Sequence, residues 1–347
     1  MRREPGAPAP ANPRQWGPIR DSEGAAHVEL FLVATVVTIT VTRLYLQLTG
    51  FPQIGGAGGL HVAHVLFGGV FMLAATVMFM LLLGRSSRWV ATLFAGVGFG
   101  LFIDEVGKFL TQDNNYFFKP AAAVMYVFIV LVYVVGAYLV RRRALSDREL
   151  VVNALRMMQE MAADNLDAFE ASELRRMLDT ADPAQPLRNP LLRVLDEVTR
   201  EPLAVGRLNR VYVTVRRGAI GLTRATLMQR LGVFLFQIAI VLSVFAPSQE
   251  VVENPSVFTW LWVGAAWLVL VQGVVATVLY YRGERVRALQ IFALALTLEL
   301  LVVQFFELLD EPWLGFGRVL LNVLLLGVCH SMLYREQQLH TPPVSPT

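Results

Sequence analysis

The chain is predicted to be all-α: a polytopic membrane protein of about eight transmembrane helices in a 4+4 arrangement, with a cytoplasmic helical insert between the halves. Three observations predict this. Of 347 residues, 55% are hydrophobic and only 16% charged, whereas about a quarter of an average soluble domain is charged. Eight apolar stretches of roughly 18 to 25 residues are each long enough to cross about 30 Å of hydrocarbon as a helix. Basic residues also gather in alternate connections, as the positive-inside rule requires.

The stretches fall near 28–48, 60–83, 89–111, 120–140, 229–246, 257–281, 287–308 and 316–334. The first is a retained span rather than a signal peptide, because about 26 residues precede it, Arg43 interrupts it and no small-x-small cleavage site follows. Arg2, Arg3, Arg14 and Arg20 precede span 1; Arg85 and Arg88 join spans 2 and 3; Arg141, Arg142 and Arg143 follow span 4; Arg282, Arg285 and Arg287 join spans 6 and 7. The other connections are poor in basic residues, which places both termini in the cytoplasm of a bacterial plasma membrane. The net charge of +3 and pI near 9.2 are explained by these flanking arginines, so the expected partners are the bilayer and a small-molecule or lipid ligand, with no nucleic acid. A lone cysteine, Cys329, excludes an internal disulfide framework and a Cys-based zinc site.

Residues 1–26 carry five prolines and no apolar periodicity, predicting a disordered cytoplasmic arm. Residues 27–140 form the first four-helix half and 229–334 the second, with 335–347 a disordered tail. The 88 residues of 141–228 are too many for a simple connector. There, Ser146-Asp-Arg-Glu149 is a capping-box pattern ahead of Leu150, Leu155, Met158 and Met161 at helical spacing. A second helix is expected from about Leu166 to Leu178, ended by Ala-Asp-Pro-Ala-Gln-Pro, and a third near 190–199. Residues 203–224, with Arg207, Arg210, Arg216, Arg217 and Arg224 among apolar residues, read as an interfacial basic helix.

Function is expected where ionisable groups interrupt the spans, since each costs roughly 2.5–3.5 kcal/mol at mid-helix on insertion scales. His61 and His64 lie one turn apart at the start of span 2, and span 3 ends in Phe-Ile-Asp104-Glu105-Val-Gly-Lys108-Phe. With span 2 running inward and spans 1 and 3 outward, Arg43, His61, His64, Asp104 and Glu105 fall in one outward-facing layer. Gly96, Gly100, Asp104 and Gly107 share a stripe whose small residues let a neighbouring helix approach, turning Asp104 into the bundle. Glu299 sits about midway along span 7, ahead of Gln304, Glu307, Asp310 and Glu311.

Three chemistries fit this layer. Arg43 and Lys108 can neutralise Asp104 and Glu105 and lock the helices together. His61, His64 and Asp104 can form a two-His-one-carboxylate set for a divalent metal such as zinc, with Glu105 as candidate general base for an activated water. Alternatively, Arg43, His61, His64, Asp104, Glu105, Lys108 and Glu299 bind a ligand or carry protons, histidine and carboxylates being the usual intramembrane carriers. The two cations beside the carboxylates weigh against the metal. The loop Asp113-Asn114-Asn115-Tyr116 above Asp104 offers either a head-group contact or an aromatic belt. Gly96-Val-Gly98-Phe-Gly100 lies inside a span with no preceding strand, which excludes a dinucleotide loop.

Gly-Leu-His61-Val-Ala-His64-Val-Leu-Phe-Gly, followed by Gly96-Val-Gly-Phe-Gly-Leu-Phe-Ile-Asp104-Glu105 and then Asn-Asn-Tyr-Phe, resembles uncharacterised multi-pass membrane proteins of actinobacteria. The resemblance covers about residues 55–140. It implies that His61, His64, Asp104 and Glu105 lie together and brings no established activity. The chain is more loosely similar to seven-span ceramidase and receptor-like hydrolases, whose histidines and aspartate hold zinc, but it lacks their third clustered histidine. A metal-dependent intramembrane hydrolase is therefore the alternative to ligand binding or transport, and a purely structural polar layer is the other.

Overall fold

The computed structural model describes residues 17–49, 64–105, 119–141, 145–163, 166, 168–198, 226–310 and 312–340. Among them the chain forms twelve α-helices and no strand: α1 Gly24–Thr49, α2 His64–Leu81, α3 Arg85–Asp104, α4 Lys119–Arg141, α5 Asp147–Ala162, α6 Ala168–Thr180, α7 Arg188–Val198, α8 Thr226–Glu253, α9 Val257–Tyr281, α10 Arg285–Leu298, α11 Gln304–Asp310 and α12 Pro312–His340. A single π-helical turn, Glu299–Val303, joins α10 to α11. Five stretches are long and apolar enough to cross a membrane: Gly24–Leu46, Arg85–Asp104, Leu231–Glu253, Val257–Tyr281 and Arg285–Leu309. The other three expected spans appear as shorter apolar helices within the described residues, Val65–Leu81, Ala122–Gly136 and Gly315–His330.

The chain divides into two compact units, Met1–Ala25 with Ala137–Val205, and Ala26–Gly136 with Gly206–Thr347. In the first, α5 starts on the predicted capping box: the Ser146 hydroxyl accepts from the Glu149 N–H, and the Glu149 carboxylate accepts from the Ser146 N–H at 2.9 Å. The chain leaves α6 through Asp182 and Pro183 before α7. Leu166, Leu174, Leu178 and Leu195 are almost fully buried where α5, α6 and α7 converge, each contributing roughly 1.5–3 kcal/mol against an aqueous unfolded reference. The predicted basic helix at 203–224 lies outside the described residues, as do the arm before Gly17 and the tail after His340.

The second unit holds the apolar helices. Its buried core draws on α1, α3, α4 and α8 to α12, with Val36, Ile39, Tyr126, Ala266, Leu289 and Leu308 nearly sealed. Hydrocarbon is as apolar as leucine, so tight approach of helices decides packing there. α3 is the clearest case. A Cβ at Gly98 would meet the Gly68 carbonyl oxygen at 2.7 Å, and one at Gly96 the Phe31 carbonyl oxygen at 2.6 Å. Glycine therefore lets α2 and α1 each press backbone against α3. α8 outlasts the predicted 229–246 and continues through Pro247. The ring there removes one backbone donor, a loss that membrane helices tolerate where serine side chains or neighbours adjust; one turn back, the Ser243 hydroxyl donates to the Ile240 carbonyl at 2.8 Å.

Candidate functional site

Two buried polar sites emerge in the apolar unit. The first grows from a parallel seam between α1 and α3, read from its contacts in chain order. The His27 ring lies 2.9 Å from the Thr92 hydroxyl and packs against Trp89 with ring centroids 4.5 Å apart and planes tilted by 35°. The Thr35 hydroxyl donates to the Phe31 and Gly96 carbonyls at 2.8 and 3.1 Å. At the far end Arg43 Nε donates to Asp104 Oδ1, and Arg43 Nη2 to the Asp104 carbonyl at 2.9 Å. Arg43 is 9% exposed and Asp104 1%. The guanidinium thus neutralises the carboxylate and also takes up a carbonyl that the end of α3 leaves without a helical partner.

Glu105, the C-cap of α3, is fully buried, and its Oε2 accepts from the Val65 N–H at 3.3 Å. Val65 stands in the first turn of α2, where backbone donors lack helical partners and negative charge is favoured. Arg43, Asp104 and Glu105 are therefore gathered where α1 and α3 end and α2 begins. His64 is the first residue of α2, while its ring, His61, Lys108 and the 106–118 loop lie outside the described residues.

The second site surrounds the π turn. Such a turn inserts one residue into the helical ladder, and is often found at functional positions. Glu299 opens it, 3% exposed. Arg318 of α12 reaches both acids of this span, with Nη1 2.5 Å from Glu307 Oε1 and Nη2 3.5 Å from Glu299 Oε1. Gln304, fully buried, donates to Glu307 Oε2 at 3.0 Å and to the Gly315 carbonyl at 3.1 Å. Asn322 donates to Gln304 Oε1 at 3.4 Å.

Two atoms of this region lack partners. Glu299 Oε2 and the Tyr126 hydroxyl are buried with no hydrogen bond among the described residues. The Ser243 hydroxyl lies close enough to act on Glu299 but donates to Ile240 instead. The charges of Glu299 and Glu307 in turn act at the Tyr126 hydroxyl. The sequence points to Glu299 and misses Arg318, Gln304, Asn322 and Tyr126. Arg318 carried the available signal, a charge inside an apolar stretch beyond an acidic run.

Outside the apolar unit, Arg20 donates to Glu149 through its backbone N–H at 3.1 Å and through Nε and Nη2 at 2.7 Å each. This guanidinium, reinforced by the Ser146 bonds, holds the Glu149 carboxyl well below its usual range. Asn153 completes the clasp, accepting from the Ser22 N–H and donating to the Arg20 carbonyl.

Among the described residues no three His, Cys, Asp or Glu side chains are grouped to hold a metal. Of the metal set read from the sequence, His61 and the His64 ring are outside those residues, and Asp104 is bound to Arg43. No protein-family model, no curated protein and no solved structure matches the chain.

Proposed function

We propose that the chain is an eight-span membrane protein that binds or transports a small polar or amphiphilic ligand at its outward-facing polar layer, with protonation of Glu299 coupled to occupancy. The observation that carries this reading is the setting of Glu299 at the π turn. It is buried, Arg318 reaches its Oε1 at 3.5 Å while bonding Glu307 at 2.5 Å, and its Oε2 has no hydrogen bond among the described residues. A carboxylate held this way in hydrocarbon is costly. A proton neutralises it, and a donor on a ligand satisfies the open oxygen. Arg318, Glu307, Tyr126 and Ser243 are the groups facing Glu299 and set when that exchange occurs.

Infrared difference spectra of the reconstituted protein across a pH step test the proposal. A protonated-carboxyl band should titrate in the native chain, vanish in Glu299→Gln and weaken in Glu307→Gln, which leaves Arg318 to Glu299. A Glu299→Gln spectrum identical to the native one removes Glu299 from the mechanism.

A second reading is favoured by the Arg43–Asp104 pair, in which the first-half layer joins α1 to α3 and the ligand chemistry belongs to the second half. The hydrolase alternative has a further demand: Asp104 must serve a metal while Arg43 holds its Oδ1.

A further inference from the structure

A guanidinium meets a carboxylate best side-on, through two parallel N–H groups. The clasp at α5 shows that geometry in this chain, with Arg20 Nε and Nη2 each 2.7 Å from an oxygen of Glu149. The same edge of Arg318 is nearly open. Its Nη2 reaches Glu299 Oε1 only at 3.5 Å, while Nε donates to no described residue and keeps accessible surface. The Arg318 side chain is 25% exposed, so this edge is within reach of a ligand.

The two acids beside it are held unequally. Glu307 has both oxygens engaged, Oε1 by Arg318 at 2.5 Å and Oε2 by Gln304 at 3.0 Å. Glu299 is thus the partner that Arg318 gives up more readily. Tyr126 of α4 and Ser243 of α8 are the other polar groups near Glu299; α9 carries no charged side chain and α10 none beyond Arg287. When Glu299 takes a proton its hold on Nη2 weakens, and an incoming carboxylate can close on Nε and Nη2 together. One carboxylate then replaces another at the guanidinium, an exchange that a neutral group cannot make. We infer that the Nε–Nη2 edge of Arg318 binds the carboxylate of a small monoanionic ligand, taken up together with a proton on Glu299. The inference rests on the proton exchange proposed above and adds the class of the ligand.

Perfusion infrared difference spectra of the full chain in lipid test this at fixed pH, with butyrate isotope-labelled at its carboxylate carbon so that its bands stand apart from the protein's. Butyrate should raise the protonated-carboxyl band of Glu299. Its apparent affinity should fall about tenfold per pH unit where Glu299 is otherwise ionised, the signature of one proton bound per anion. Glu299→Gln should bind butyrate with no such band and no pH dependence. Arg318→Lys keeps the charge but loses the side-on pair, and should bind about tenfold more weakly. Butyramide should give no response. Inorganic phosphate is the other oxyanion that fits two parallel N–H groups, and a response to phosphate with none to butyrate overturns the carboxylate. A band that titrates with pH but ignores butyrate defeats the ligand assignment and leaves the proton exchange standing. Full pH dependence of butyrate binding in Glu299→Gln defeats the proton exchange instead. Equal affinity in Arg318→Lys removes Arg318 from the site. If that variant fails to fold, Glu299→Gln decides, since loss of butyrate binding there overturns the inference.

Discussion

Removing Arg43 takes away the ion pair that Asp104 makes across α1 and α3, and the size of the effect measures how far that pair clasps the two helices. Asp104 is 1% exposed and takes both a side-chain and a main-chain bond from the guanidinium. An ordinary interhelical hydrogen bond in a bilayer is worth about 0.6 kcal/mol. Breaking a buried ion pair by deleting one partner costs about 3–5 kcal/mol, because a charge is left without compensation. Arg43→Met is therefore expected to lose about 3–5 kcal/mol. The double variant Arg43→Met with Asp104→Asn removes the remaining charge and should recover to within about 1–2 kcal/mol of the native chain, since neutral replacements of buried pairs are tolerated. Steric trapping in bicelles measures these free energies directly. The reasoning fails if Arg43→Met costs less than about 1 kcal/mol, or if the double variant is no more stable than the single.

Other outcomes follow from the same contacts. Because Arg20 holds the folded Glu149 carboxyl below its usual value, its contribution is complete at neutral pH. It begins to fall below about pH 4.3, where the unfolded carboxyl gains its proton, and is lost as pH drops through the depressed folded value; circular dichroism of Glu149→Gln on acidification should show a shallower decline than the native chain. Gly98→Leu should destabilise by about 1–3 kcal/mol as α2 is driven off α3, while Gly69→Leu, whose Cβ would meet nothing within 4 Å, should stay within about 0.5 kcal/mol in the same unfolding assay. Ser146→Ala deletes the capping box and should cost about 1 kcal/mol, read as raised hydrogen exchange in the first turn of α5. Elemental analysis of protein purified without chelator should find no stoichiometric transition metal, Asp104 being engaged by Arg43; zinc or iron that disappears in the His61→Ala, His64→Ala variant would instead support the hydrolase.

Legibility followed the range of the interactions. The capping box at Ser146 is contained in four consecutive residues, so it could be read directly. The meeting of Arg43 with Asp104 was readable for a different reason: α1 and α3 run in parallel, and counting rises along each places both charges at one depth. The π turn is not readable, because Glu-Leu-Leu-Val-Val is ordinary helical sequence and the elements packed against it, α9, α10 and α12, are distant or unmarked in the sequence. Arg318 falls inside the expected span 8, but its partners lie 11 and 19 residues earlier in the chain, beyond the reach of a local pattern. The expected span 5 stops at 246, and the helix runs on through Pro247 to Glu253.

The π turn also makes span 7 sensitive to backbone geometry as much as to composition. A widened turn absorbs one extra residue, so the residues beyond it keep the phase of a helix that lacks that residue. Were Glu299–Val303 to relax into ordinary α-helix at unchanged length, Gln304 and Glu307 would turn by about 100° relative to Glu299 and leave Arg318, with no side chain altered. Deleting Val302 would instead remove the widened turn and its extra residue together, so that the acids of this span stay in phase and a chain one residue shorter here could still close the network.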